Sequence, residues 1–250
     1  MEKSRSRPSD EAEAETQRNY YGRTANQYDG IHLRSESEHY LALRFLESVL
    51  DQFGIRSVLD VGAGTGRVAR HFKRTRPDLR VVSLEPVAEL RQIGYRDGLG
   101  PDELIDGDAY ALPFAPGSFD LVCEFGMLHH VKFPSRAVAE MLRVGKRGIF
   151  ISDINNFGNG APAARFAKQI INAMGLWKFA DSLKTRGRGY EISDGDGLAY
   201  SYSVYNDFAQ ISRLCDIYSL NTQPGAINPY RSASHVALLG IRRSDTSSSA

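Results

Sequence analysis

Val58-Leu59-Asp60-Val61-Gly62-Ala63-Gly64-Thr65-Gly66 decides how this chain folds. An apolar run ends in a carboxylate and three alternating glycines, and a helix-forming segment, Arg67 to Arg74, follows. That order predicts a buried parallel strand, a tight turn and a helix N-terminus, the nucleotide-binding corner of an α/β sheet. Glycine lets the backbone turn at positive φ and lets a ligand lie against bare main chain. Dinucleotide-binding loops read G-x-G-x-x-G, whereas this loop reads G-x-G-x-G with Asp60 two residues before the first glycine.

Outward from this corner, strand and helix alternate. Strands are predicted at 56–61, 80–84, 103–107, 118–123 and 147–153, and helices at 66–75, 87–95 and 134–144, with a short turn of helix near 126–130. Upstream, Leu41, Leu43, Phe45, Leu46, Val49 and Leu50 form one face of a helix that Gly54 closes. Alternation of this kind implies a mostly parallel sheet covered on both faces by right-handed crossovers. After the fifth strand the rhythm breaks. Residues 154–205 are glycine-rich and aromatic, with a helix expected between Ala161 and Met174 and strand periodicity in Leu198, Tyr200, Tyr202 and Val204. Asp194-Gly195-Asp196-Gly197 is expected to turn a hairpin there; it lacks the glutamate a calcium loop would need. A helix over 205–214, an extended segment over 217–222 and a final strand over 234–241 close the domain.

The order of features resembles the class I methyltransferases that use S-adenosylmethionine, whose first motif has the form D-x-G-x-G-x-G. The resemblance covers residues 18–153 well and 204–241 loosely, and leaves the insert outside. It implies a Rossmann-like, doubly wound, seven-stranded sheet, mostly parallel with an antiparallel last strand, here carrying an α/β insert after the fifth strand. It also implies that Asp60, Gly62, Ala63, Gly64 and Gly66 hold the amino-acid end of the cofactor. Glu85, followed by Pro86 at the end of the second strand, matches the acid that binds the ribose diol, and Asp108 with Ala109 matches the pair that holds the adenine. Leu112-Pro113-Phe114 to Phe119-Asp120-Leu121-Val122 is similar to the L-P-F-x-x-x-x-F-D-x-V stretch of the branch that methylates small molecules. The aromatic segment Tyr20 to Asp29 resembles a lid, with Tyr21 and Tyr28 expected on the cofactor and Tyr20 on the acceptor.

Strand C-termini of an open parallel sheet point into the ligand crevice. Glu124 and Phe125 are therefore expected against the cofactor, and His129 and His130 are candidates for contacting the acceptor, one of them as general base. Adjacent histidines diverge on a helix and lack Cys, Asp or Glu partners at ligand spacing, so no metal is expected. The Asn/Asp-Pro-Pro-Tyr turn of enzymes that methylate exocyclic base amines or glutamine amides is absent, because Glu124-Phe125-Gly126-Met127 occupies its place; Asn228-Pro229-Tyr230 lies elsewhere. Trp177, Tyr200 and Tyr202, in the insert, are expected to cover an apolar or sugar-like acceptor. A homodimer contact is the alternative use of the same aromatics.

Composition bounds the rest. A chain of 250 residues with 42% hydrophobic and 24% charged residues is ordinary for a globular protein, and net charge +1 argues against an extended nucleic-acid surface. The two cysteines cannot staple the fold and suit a reducing compartment. No apolar stretch approaches the ~20 residues that span a bilayer, so a cytoplasmic protein without a membrane partner is expected. Residues 1–15 and 242–250 are expected to be disordered, flanking one domain over 16–241 with a helical lid at 16–54 and a substrate cap at 154–205. Oxygen, nitrogen or carbon of a small molecule could receive the methyl. A nicotinamide-dependent oxidoreductase and a non-catalytic scaffold of the same fold are the competing readings.

Overall fold

The computed structural model describes residues 10–32, 38–193, 197–225 and 227–243. Its central sheet contains β1 (Ser57–Val61), β2 (Arg80–Leu84), β3 (Leu104–Ile105), β4 (Phe119–Phe125), β5 (Gly145–Ile154), β8 (Cys215–Asn221) and β9 (His235–Arg242). Their spatial order is β3-β2-β1-β4-β5-β9-β8. β1 to β5 pair in parallel, and β9 runs antiparallel to both β5 and β8. The expected seven-stranded sheet with one antiparallel strand is therefore present. β1 and β4 are buried along nearly their whole length, as strands covered on both faces must be, which explains their continuous apolar runs.

Two apolar layers sandwich the sheet. One joins α2 (Glu38–Val49) and α3 (Arg67–Thr75) to the sheet through Leu43, Leu46, Phe72 and Phe150. The other packs α5 (Pro134–Val144) through Val138 and Met141, together with Tyr202, Val204 and Ile211. Helix α4 (Ala88–Arg96) follows β2, and Pro134 starts α5 at the position where a missing N–H is harmless. Strand order reverses between β1 and β4, so the crevice opens above the C-terminal ends of these two strands. The glycine loop follows β1 and Gly126 to His130 follow β4.

Three features differ from the sequence expectations. Helix α1 (Asp10–His32) begins inside the segment expected to lack order. Glu13 explains this: it is buried, accepts a 2.7 Å hydrogen bond from the Tyr200 hydroxyl and pairs with Lys132 at 2.8 Å. At the other end β9 runs through Arg242, whose guanidinium donates to the carbonyls of Leu142 and Gly145. In the insert, α6 (Pro162–Ala173) and α7 (Trp177–Lys184) precede a separate antiparallel pair, β6 (Tyr190–Ser193) and β7 (Gly197–Tyr200). The alternating run does not continue as strand past Tyr200. Tyr202 turns into the core instead, and a 3-10 turn starts at Val204. The expected Asp194 to Asp196 turn lies outside the described residues. Short helices α8 (Phe208–Ser212) and α9 (Pro229–Ser232) complete the fold; Asn228 caps α9 by accepting from the Arg231 N–H, so Asn228-Pro229-Tyr230 is a plain helix start.

Candidate active site

Gly62, Gly64 and Gly66 all have positive φ, and Gly64 shows why no side chain fits. At φ +59° a Cβ there would lie 2.5 Å from the Tyr28 hydroxyl oxygen. Tyr28 thus rests directly on the loop. Beneath it, Tyr28, Asp60, Gly62, Ala63, Arg67 and Phe125 line a small cleft.

Asp60 lines this cleft, and two further acids, Glu85 and Glu124, stand at neighbouring strand ends beside it. Asp60 is 1% exposed, and burial pushes its carboxyl up to about 7 although Arg67 pulls the other way. Its Oδ1 takes a weak 3.8 Å contact from the Cys123 thiol, while Oδ2 has no hydrogen-bond partner. Glu85 accepts from the Gly64 N–H and the Val87 N–H, each at 2.9 Å, and burial likewise raises it to about 7. Glu124 is fully buried, accepts from the Met127 N–H at 2.8 Å, and leaves Oε1 without a partner. Burial and then the Asp153 charge hold it well above the usual carboxylate range. Buried carboxylate oxygens without donors are costly unless a ligand supplies the donor. This site fits a ligand with an ammonium or sulfonium at one end and hydroxyl donors farther along, which is the donor pattern of S-adenosylmethionine. Asp108, by contrast, is exposed, and its Oδ1 accepts from the Tyr110 N–H at 2.9 Å in a local turn. Ala109 is half-buried beside it and Pro86 is exposed on the outer side.

The two candidate histidines part company. His129 Nδ1–H donates to Asp153 Oδ1 at 2.6 Å, and the His129 backbone N–H lies 3.3 Å from the second carboxylate oxygen. Both residues are buried. Burial alone would raise Asp153, but the adjacent His129 and a backbone bond from Ile154 hold it below its ordinary value. His130 is instead tied into the architecture: Nε2 lies 2.9 Å from the Tyr21 hydroxyl, and Nδ1 lies 2.8 Å from the Leu198 carbonyl and 3.0 Å from the Gln17 amide. With both ring nitrogens engaged, His130 joins α1 to β7. Asp153 was missed in the sequence because it lies 24 residues from His129; its place at the end of β5, beside β4, was the available signal.

Helix α1 lies across the mouth. The Thr65 hydroxyl and the Arg70 guanidinium both donate to Asp29, at 2.6 and 3.2 Å. Gln17 accepts from the Leu198 N–H at 2.6 Å, and Tyr21 stacks edge-on against both Tyr28 and His130. Tyr20 packs on Gly197, at the start of β7.

Of the expected acceptor contacts in the insert, Tyr202 must be withdrawn. It is 1% exposed and its hydroxyl donates to Asp207 at 3.0 Å, because it fills the core behind β5. Tyr200 is bound to Glu13, and the half-buried Trp177 donates to Ser201 at 3.1 Å against the Phe157 ring. His39, unremarked in the sequence, lies over Gly126 with Nδ1 3.0 Å from the Ser152 hydroxyl. Near it, ring nitrogens of His39 and His235 and a Glu38 carboxylate oxygen fall within 4.8 Å of one another.

Residues 59–152 match the family model described as a methyltransferase domain. The glycine loop, β2, β4 and most of β5 fall inside that match, and over this stretch the chain is similar to S-adenosylmethionine-dependent methyltransferases. A demethylmenaquinone methyltransferase of Renibacterium salmoninarum is 41% identical over 109 residues, 42% of this chain and 44% of that protein. A ubiquinone biosynthesis O-methyltransferase of Xanthomonas euvesicatoria pv. vesicatoria is 27% identical over 209 residues, 75% of this chain and 82% of that one. Several curated relatives, the Renibacterium protein among them, are thus matched over about half their length or less. The fold of the plantazolicin methyltransferase BamL, solved with a triazolic desmethylPZN analog and SAH, superposes at TM-score 0.59 with 13% identity, over 94% of this chain and 98% of that one. The methyltransferase match agrees with the loop spacing in setting this domain apart from nicotinamide-binding folds.

Proposed function

We propose that this protein methylates a small acceptor bearing a ring hydroxyl, with His129 as general base and Asp153 as its positioning partner. The observation that carries the proposal is the 2.6 Å bond between them, just past the end of β4 and at the end of β5. A hydroxyl must lose its proton to become a good nucleophile, and a neutral amine need not. With Nδ1 committed to Asp153, the proton would arrive at Nε2, and the carboxylate would stabilise the resulting imidazolium. A deprotonated phenol or quinol is nucleophilic at oxygen and at the adjacent ring carbon, so one base serves transfer to either atom. The names of relatives, one a demethylmenaquinone methyltransferase and another a ubiquinone biosynthesis O-methyltransferase, support the ring-hydroxyl class.

In this reading Asp60, Glu124 and the Gly62 to Gly66 loop hold the cationic amino-acid end of S-adenosylmethionine, Glu85 its ribose and Asp108 its adenine. The cofactor supplies a methyl group activated by its sulfonium. Tyr21 and Tyr28, carried on α1, exclude water from the reacting atoms. Positioning alone can contribute on the order of 7–11 kcal/mol. A panel of hydroxylated quinols, phenols and ring amines, assayed for S-adenosylhomocysteine release and for products one methyl heavier, tests the proposal. Turnover of quinols or phenols that collapses in His129→Gln is expected. Turnover confined to amines and indifferent to His129 would overturn it, and cofactor binding without any product would favour the scaffold.

A further inference from the structure

Among the described helices, α6 and α7 are two of some length, 12 and 8 residues, without a single buried residue. Their apolar side chains nevertheless follow helical stripes. Phe166, Ile170 and Met174 recur at i, i+4 and i+8, and are 67%, 44% and 65% exposed. Leu176, Phe179 and Leu183 follow along α7 at i, i+3 and i+7, and are 48%, 66% and 66% exposed. Stripes of this kind normally face a core. Here they face outward on two helices that pack against each other.

Charge identifies what they meet. From Ala161 to Ile192 six basic residues accompany two acidic ones, whereas the whole chain carries 31 against 30. Lys178, Lys184, Arg186 and Arg188 are exposed in or just after α7. Apolar side chains projecting from amphipathic helices, among lysines and arginines, are the features that seat a protein in the interface of an anionic bilayer. A second copy of the same face is disfavoured, since a two-fold contact would lay this basic segment on itself. No helix among the described residues is long and apolar enough to cross a membrane. Lying on the surface requires no such helix.

We propose that the α6–α7 face docks on anionic lipid surfaces, with Phe166, Phe179 and Leu183 entering the headgroup boundary and the flanking cations meeting lipid phosphates. Lys168 of α6 donates to the Asn156 carbonyl just past β5, which ties the helix pair to the end of that strand.

Full-length protein should co-sediment with vesicles of phosphatidylcholine mixed with phosphatidylglycerol, and release should follow added salt. Phosphatidylcholine vesicles alone should retain at least about tenfold less. Phe166→Ser with Phe179→Ser should lose binding by a similar factor while its melting temperature stays unchanged, since neither ring is buried. Arg186→Glu with Arg188→Glu should do the same without touching the apolar stripes. The proposal is overturned if the wild-type chain ignores the anionic vesicles, or binds neutral ones equally. It is also overturned if light scattering shows a dimer that the Phe166/Phe179 variant dissolves, because the face then belongs to a second copy.

Discussion

His129 donates to Asp153 across the ends of two neighbouring strands at 2.6 Å, whereas its sequence neighbour His130 is held by Tyr21, Leu198 and Gln17. The two histidines therefore should fail differently. His129→Gln is expected to lower kcat by about 100-fold or more while leaving cofactor affinity near wild type. Asp153→Asn should lower kcat as well, because an amide cannot stabilise the imidazolium. His130→Gln should act through the lid: acceptor KM rises, kcat changes less, and the pH profile keeps its shape. Steady-state kinetics with calorimetric cofactor titration would separate these outcomes, and equal losses of kcat in both histidine variants would refute the division of roles.

Gly64→Ala tests the contact between loop and lid. The residue sits at φ +59°, where alanine is disfavoured by roughly 1–2 kcal/mol, and the new methyl would press on the Tyr28 hydroxyl. Cofactor affinity should fall at least about tenfold, since both the cradle and its cover must shift. Gly98→Ala is the control, with positive φ but open space around it. It should lose a comparable stability increment yet bind cofactor normally in isothermal titration.

Much of this site was legible in advance because its chemistry is local. The glycine loop, Glu85 and the strand ends are set by short-range patterns that a parallel sheet imposes on sequence. What escaped depends on contacts between distant segments. Tyr202 and Tyr200 are two residues apart in a run that reads as strand, but Asp207 and the β5 core claim the first while Glu13, 187 residues away from Tyr200, claims the second. Glu13 in turn orders a segment whose own composition has no apolar face. Asp108 sits in an exposed local turn, where its Oδ1 accepts from the Tyr110 N–H.

Asp29→Ala examines whether α1 behaves as a lid. Asp29 is the acceptor for both Thr65 and Arg70, and the rest of the helix is anchored through Gln17, Tyr21 and Glu13. Removing the carboxylate should free the C-terminal turns of α1 first. Amide exchange should accelerate in the stretch around Tyr21 to Tyr28 and remain slow near Glu13. Cofactor should associate and dissociate faster with a smaller change in equilibrium affinity, readable by stopped-flow fluorescence. Uniform exchange along α1, unchanged by the substitution, would mean that the helix is a fixed part of the domain.

In the proposed site, Asp60 and Glu85 should make cofactor binding depend on pH. Burial raises both to about 7, so in the ligand-free protein they keep protons that the unfolded chain would release near pH 4. Between those values the folded state binds more protons. Their contribution to stability is therefore complete below about pH 4 and is lost as pH rises through about 7, on the order of a few kcal/mol for groups this buried. A cationic ligand reverses the preference because it favours the carboxylates. The rise in melting temperature on adding S-adenosylmethionine should grow from roughly pH 5 to 8, with proton release detectable as a buffer-dependent enthalpy. Asp60→Asn should flatten part of both trends. A ligand-induced shift independent of pH in the wild-type protein would show that these acids are already ionised, or that the cation binds elsewhere.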